Sequence, residues 1–241
     1  MKKVAIIGVG FVGSSICYAL MLRNIAEEIV LIDLDFTKAH GEVLDIRHGF
    51  AQLGDVDLYD GQYEDCKGCE LIVITAGRNR KPNETRLDLA NGNCTILQDV
   101  MENIAPYVGN SFLMIVSNPV DLLTYQAQHF FGFPRGRIFG TGCTLDSSRF
   151  RRQLADYMGV SLATVDGYVV GEHGDGQFPL WSAVRVEGQT CEEYCGNRKL
   201  RWNAEVKEDV DLRTRTMGST IIQAKGKTNY GIASCVALLS D

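Results

Sequence analysis

The side chains best suited to moving protons and holding anions fall in four polar segments: TAGRNRKPNETRLDL (75–89), SNPVD (117–121), LDSSRF (145–150) and GEHGD (171–175). His173 lies in the last of these, and an imidazole, which titrates near neutrality, can serve a reaction in both directions. Asp146 and Arg149 are three residues apart on an expected helix from about 145 to 158, so both side chains leave one face towards one pocket. A guanidinium fork can hold both oxygens of a carboxylate at once, which a lysine does poorly. A fifth segment acts through its backbone. Gly8-Val9-Gly10-Phe11-Val12-Gly13 follows the apolar run VAII (4–7), and Asp33 ends the next apolar run, twenty residues after Gly13. In that context the first glycine permits a tight turn and the second lets amides approach a pyrophosphate at a helix N-terminus. The third allows the helix to lie against the strand. Asp33 would accept hydrogen bonds from ribose hydroxyls and repel an additional 2'-phosphate, which selects NAD over NADP.

Elements able to position these groups are visible as alternating patterns. VAII (4–7), IVLI (29–32), LIVIT (71–75) and FLMIVS (112–117) are runs of the kind found in fully buried parallel strands, with a weaker strand at 137–139. Between them, Ala39, Val43 and Ile46 mark one helical face, and Leu87, Ala90, Cys94, Leu97, Met101, Ile104 and Val108 mark another. Strand and helix alternate, which predicts an α/β fold with a Rossmann-type doubly wound parallel sheet over residues 1–141. Residues 142–241 read as a second, α+β unit, with a strand at VDGYVV (165–170) and helices near 206–224 and 228–239. The last of these helices has no evident packing partner in the sequence. Residues 4–22 carry no charge, but Gly8, Gly10 and Gly13 interrupt them and a second apolar strand follows, so they describe a buried strand entering a helix and no membrane anchor.

Composition narrows the function classes. With 24 basic and 30 acidic residues the net charge is -6, which excludes an electrostatic nucleic-acid binder. With 45% hydrophobic and 22% charged residues the chain can bury a large core. Eight cysteines include Cys66-x-x-Cys69 and the pair Cys191 and Cys195. No histidine lies near either pair, so reduced structural thiols in a cytoplasm are expected, with no metal site.

Taken in order, the polar segments and the glycine motif resemble the lactate/malate dehydrogenase family over essentially the whole chain, from residue 4 to about 235. The resemblance implies an NAD-dependent L-2-hydroxyacid dehydrogenase with a small-molecule 2-oxo or 2-hydroxy acid as substrate, cytoplasmic, and a homo-oligomer when full length. His173 matches the proton donor to the substrate ketone, and Asp146 the carboxylate that holds the ring and balances its charge. Arg149 matches the clamp on the substrate carboxylate, and Arg86 the loop arginine that polarises the carbonyl. Asn118 matches a position that bonds both cofactor and substrate. Gly8, Gly10, Phe11, Val12, Gly13, Asp33, Thr75, Ala76 and Gly77 fall where the family borders its cofactor, and Thr228 where lactate enzymes bind substrate. Departures are Asn83 for a loop glycine, Gly176 for a serine, and Lys227 and Asn229 beside Thr228. Family members also continue past Asp241, so the chain reads as truncated, with an incomplete substrate domain and exposed apolar faces.

The specificity position, six residues before Arg86, holds Arg80. Malate-type members carry arginine there and lactate-type members usually carry glutamine. Oxaloacetate brings a second carboxylate that could pair with Arg80, whereas pyruvate would leave the cation unpaired. A buried unpaired charge costs on the order of 3 to 5 kcal/mol, or roughly two to four powers of ten in preference. The expectation is therefore malate and oxaloacetate, with L-lactate dehydrogenase as the alternative favoured by the wording of the other motifs. A catalytically silent NAD-binding fragment is the alternative of another class.

Overall fold

The computed structural model describes residues 1–50, 55–79, 83–131, 134 and 136–241, without the side chains of Arg86 and Phe131. The chain divides into two compact units, one of Met1–Thr141 with Asn229–Asp241 and one of Gly142–Thr228.

In the first unit six parallel strands, β1 (Lys3–Ile7), β2 (Glu28–Ile32), β3 (Asp57–Asp60), β4 (Leu71–Ile74), β5 (Phe112–Ile115) and β6 (Ile138–Gly140), lie in the order β3-β2-β1-β4-β5-β6. The order reverses between β1 and β4, where a doubly wound sheet opens a crevice at the carboxyl ends of its strands. Successive residues serve opposite faces, as the two-residue repeat of a strand requires. Val4, Ile6, Ile29 and Leu31 enter one core, and Ala5, Ile7, Val30 and Ile32 enter the other. Helices α1 (Phe11–Leu22) and α2 (Phe36–Phe50) cover the first face through Ile16, Leu20 and Val43. Helices α3 (Arg86–Ile104) and α4 (Val120–Phe131) cover the second through Leu97, Met101, Ile104 and Leu123. Leu87 was expected on the buried face of α3 but is 68% exposed, because it falls in the first turn beside the cap rather than over the sheet. That cap is reciprocal: the Asp88 amide donates to Thr85 Oγ1 and the Thr85 amide donates to an Asp88 carboxylate oxygen.

Near the β3 edge of the sheet, Lys3 pairs with Glu28 at 2.9 Å and the Tyr59 hydroxyl donates to Glu28 at 2.7 Å. The hydrogen bond from Tyr59, then that from Lys3, holds the Glu28 carboxyl below the usual range. Burial pushes the Tyr59 hydroxyl up to about 12.

The second unit comprises α5 (Thr144–Met158), the two-residue strands β7 (Val165–Asp166), β8 (Val169–Val170), β9 (Phe178–Pro179) and β10 (Arg185–Val186), and helices α6 (Cys191–Arg198) and α7 (Ala204–Lys225). The sequence predicts one strand over 165–170. The structure divides it at Gly167 and Tyr168, where Gly167 backs onto the Phe150 ring, 2.9 Å from where a Cβ would stand. The two halves take different antiparallel partners, β7 with β10 and β8 with β9. Phe150, Leu154, Val169, Val184 and Tyr194 form the core of this unit.

Helix α8 (Tyr230–Leu239) returns to the first unit. From the sequence it is expected in the second domain, with no packing partner. In the structure it lies along α1, burying Ala233, Val236 and Ala237 in the core that holds Ile16 and Leu20. Its small residues permit the close approach, and Asn229 donates to Ser15 Oγ at 2.8 Å to fix its start. No helix among the described residues is long and apolar enough to cross a membrane.

Candidate active site

The glycine turn after β1 is shaped by close backbone contacts. Gly8 has φ +96°, and a Cβ there would stand 2.5 Å from the Ala76 amide nitrogen. At Gly13 a Cβ would stand 2.0 Å from the Gly8 carbonyl oxygen, so only glycine lets α1 lie this close to the strand. Gly10 has the opposite surroundings: nothing lies within 4 Å of its Cβ position, and it lines a cavity of about 540 Å³ with Gly8, Asp33, Thr75, Ala76 and Gly77. Asp33 crosses the turn, accepting from the Val9 amide at 2.5 Å and from the Asp35 amide at 3.0 Å, with Lys38 Nζ 3.8 Å from it. An open glycine at a helix N-terminus, with a carboxylate at the end of the neighbouring strand, fits the pyrophosphate and ribose of a dinucleotide. Phe11 is exposed on the first turn of α1.

A second cavity of about 290 Å³ adjoins Val12, Thr75, Gly77, Asn93, Ser117 and Asn118. Thr75 Oγ1 donates to the Gly8 carbonyl at 2.5 Å, and Ser117 Oγ donates to the Ala76 carbonyl at 2.6 Å. Buried Asn93 binds two loops together: its amide donates to the Arg78 and Asn118 carbonyls at 3.2 and 2.6 Å and accepts from the Arg78 amide at 2.9 Å. Sequence reasoning missed Asn93 and Arg78. A polar residue between apolar positions of the α3 face was the available signal for Asn93. The Arg78 guanidinium pairs with Glu84 at 2.5 Å and fills the space beside Gly92.

In the second unit the polar groups converge on one carboxylate. Asp146 is 1% exposed, and its Oδ2 lies 2.5 Å from His173 Nδ1. An ionised carboxylate can only accept, so Nδ1 carries the proton and Nε2 is the nitrogen left to exchange one. Arg149 Nη1 donates to Oδ1 at 3.1 Å, one helical turn along α5. The guanidinium lies against Gly218 of α7, whose missing Cβ would come within 3.4 Å of Nη2. Gln177, 4% exposed, completes the group. With its amide turned so that donors meet acceptors, its nitrogen lies 3.0 Å from Oδ2 and 3.3 Å from Oδ1. The loop that carries His173 is closed on itself: Gly171 has φ +99°, and a Cβ there would stand 2.5 Å from the Gly176 carbonyl. Ser147, beside Asp146, accepts from the Val169 amide at 2.9 Å and so ties α5 to β8.

The structure thus brings His173, Asp146 and Arg149 together, and adds Gln177, for which the sequence held no signal. Arg80 lies outside the described residues, as does the side chain of Arg86, whose backbone begins α3. Thr228, the last residue of the second unit, is half-buried. All eight cysteines are free thiols, and burial pushes those of Cys66, Cys69 and Cys191 up to about 12. They stay protonated at neutral pH and have little metal-ligand character. Among the described residues no group of three or more His, Cys, Asp or Glu side chains could hold a metal ion.

Comparison with known proteins covers both units. Residues 2–140 match the lactate/malate dehydrogenase NAD binding domain, and residues 143–241 match the alpha/beta C-terminal domain of the same family. An L-lactate dehydrogenase of Clostridium perfringens is 40% identical over 240 residues, spanning 100% of this chain and 76% of that protein. One from Chloroherpeton thalassium is 38% identical over 99% of this chain and 78% of its own length. The crystal structure of the minor L-lactate dehydrogenase of Enterococcus mundtii superposes with a TM-score of 0.95 at 38% identity, covering 99% of this chain and 76% of that one.

Proposed function

The chain belongs to the lactate/malate dehydrogenase family and is an NAD-dependent dehydrogenase of that type; we propose that its reaction is the interconversion of L-lactate and pyruvate. The observation that carries the reading is the buried Asp146 carboxylate with an imidazole and a guanidinium on it, 2.5 and 3.1 Å away. The choice of lactate follows the relatives, which carry that name at about 40% identity across the chain. They favour this alternative over the malate preference expected from Arg80.

NAD, when bound, accepts a hydride from the substrate carbon or returns one to it. Gly8, Gly10 and Gly13 would hold its pyrophosphate against the N-terminus of α1, and Asp33 its ribose. Phe11, Val12, Thr75, Ala76, Gly77 and Asn118 would border it. In the oxidation of a 2-hydroxy acid the hydroxyl proton passes to His173 Nε2 while C2 loses hydride, leaving the ketone. In reduction Nε2 returns the proton to the carbonyl oxygen. Asp146 fixes the ring so that Nε2 is the exchanging atom and balances the imidazolium, as the carboxylate of a catalytic triad does. Arg149, with one nitrogen on Asp146, offers the rest of its fork to the substrate carboxylate. Arg86 would stabilise the developing negative oxygen, and Thr228 would complete the substrate pocket.

Malate and oxaloacetate form the second reading, favoured by the charge of Arg80. The two separate in one assay, the rate of NADH oxidation with pyruvate and with oxaloacetate. Faster turnover of pyruvate is expected. Faster turnover of oxaloacetate, with Arg80→Gln shifting preference back by roughly 100-fold or more, would establish the malate reading. Activity with neither acid in a chain that binds NADH would leave only an NAD-binding module.

A further inference from the structure

We infer that Gln177 is a positioning residue that holds the Asp146 carboxylate and thereby sets how tightly His173 keeps its proton. The inference rests on the proposed role of His173 as the group that exchanges a proton with substrate. Among the described residues three donors share the two oxygens of Asp146: His173 Nδ1 at 2.5 Å, Arg149 Nη1 at 3.1 Å, and the Gln177 amide at 3.0 and 3.3 Å. Gln177 alone of the three is neutral in every protonation state. It is placed by separate means as well. The pairing of Val170 with Phe178 in the β8–β9 ladder fixes residue 177 at the far end of the loop that carries His173, and Val169 of β8 is tied to Ser147 next to Asp146. Ladder and helix thus bring amide and carboxylate together whatever His173 does.

The physical consequence follows from how a carboxylate distributes its charge. Each donor that an oxygen accepts from stabilises the anion and weakens its pull on the remaining partners. With the Gln177 amide in place, Asp146 is satisfied without gaining net charge, and its hold on the imidazolium is moderated. An apolar side chain at 177 would leave the oxygens short of a donor in a site that water scarcely reaches, so the imidazolium would become their main partner and the proton would be held more tightly. Among the described residues, the loop also carries Glu172 and Asp175, and α7 carries Arg215 and Asp211. Arg215 pairs with Asp211 and donates to the Asp175 carbonyl. They are common to every variant and drop out of the differences between them.

The test is NMR titration of the histidine rings in the full chain without substrate, with His173 assigned by loss of its signal in His173→Gln. Wild type, Gln177→Met and Gln177→Leu are compared, alongside the pH profile of kcat/KM for pyruvate. The His173 midpoint is expected to rise by about half a unit in both variants, which lack the donor. His40, His48 and His129 serve as internal controls that stay in place, and the alkaline limb of the profile moves with His173. The Leu variant keeps the test decisive if the Met variant does not fold. An unmoved His173 midpoint in a folded Met or Leu variant overturns the inference while leaving the dehydrogenase reading intact. A moved midpoint in a chain that turns over no 2-oxo acid has the reverse meaning: the control of His173 by Gln177 stands, and the dehydrogenase reading fails.

Discussion

In the first unit the glycine turn is shaped by backbone atoms: a Gly13 Cβ would stand 2.0 Å from the Gly8 carbonyl oxygen, and a Gly8 Cβ 2.5 Å from the Ala76 amide nitrogen. In the second unit the polar cluster is made by side chains, gathered on one carboxylate from α5, from the loop before β9 and from the residue next to β9. The first arrangement suits phosphate and ribose, which need amides, a helix terminus and one acid. The second can move a proton and fix an anion, which need groups whose charge and orientation are set by neighbours. Binding is therefore vulnerable to added volume, and chemistry to altered hydrogen bonding.

Substitutions can break that contrast from either side. The largest effect is expected for Gly13→Ala, whose methyl would force α1 away from the strand. It should cost about 3 kcal/mol of stability in urea unfolding and abolish NADH binding followed by fluorescence. A variant that binds NADH like the wild type would show that the close approach is dispensable. Arg149→Lys keeps the charge but loses the fork. It should raise KM for the 2-oxo acid roughly 100-fold, about 2.7 kcal/mol, with NADH affinity unchanged, and an unchanged KM would remove Arg149 from the carboxylate clamp. The smallest effect is expected away from both sites, at Glu28. Tyr59 and Lys3 depress its carboxyl below the ordinary 4.5, so its contribution to stability is complete above that pH and is lost as the pH falls through the depressed value. Glu28→Gln should thus cost less than about 1 kcal/mol at neutral pH, since the pair is partly solvent-screened. The difference should vanish in strong acid, and equal stability of the two proteins at neutral pH would show that the pair contributes nothing.

The same contrast explains what the sequence disclosed. The glycine turn and Asp33 lie within one strand-helix-strand stretch, so spacing alone carried their geometry. Asp146 and Arg149 were legible as neighbours on one helix face. His173, 27 residues from Asp146, was linked to it through family resemblance, because no local periodicity records a loop folding back on a helix. Gln177 was invisible for the same reason, and its donor role exists only once β8 and β9 have paired. The four buried runs at the sheet centre were plain. β3, with the sequence DLYD at the sheet edge, was not, since a single buried residue, Leu58, gives no alternation to read. The partner of α8 was likewise hidden, because α1 lies more than two hundred residues earlier in the chain.

The most direct test of the account is the rate of NADH oxidation by pyruvate in wild type and in His173→Gln, with NADH affinity measured on the same samples. The account predicts turnover by the wild type and a loss of about 1000-fold in the variant at undiminished NADH affinity. Comparable rates in the two proteins would contradict it.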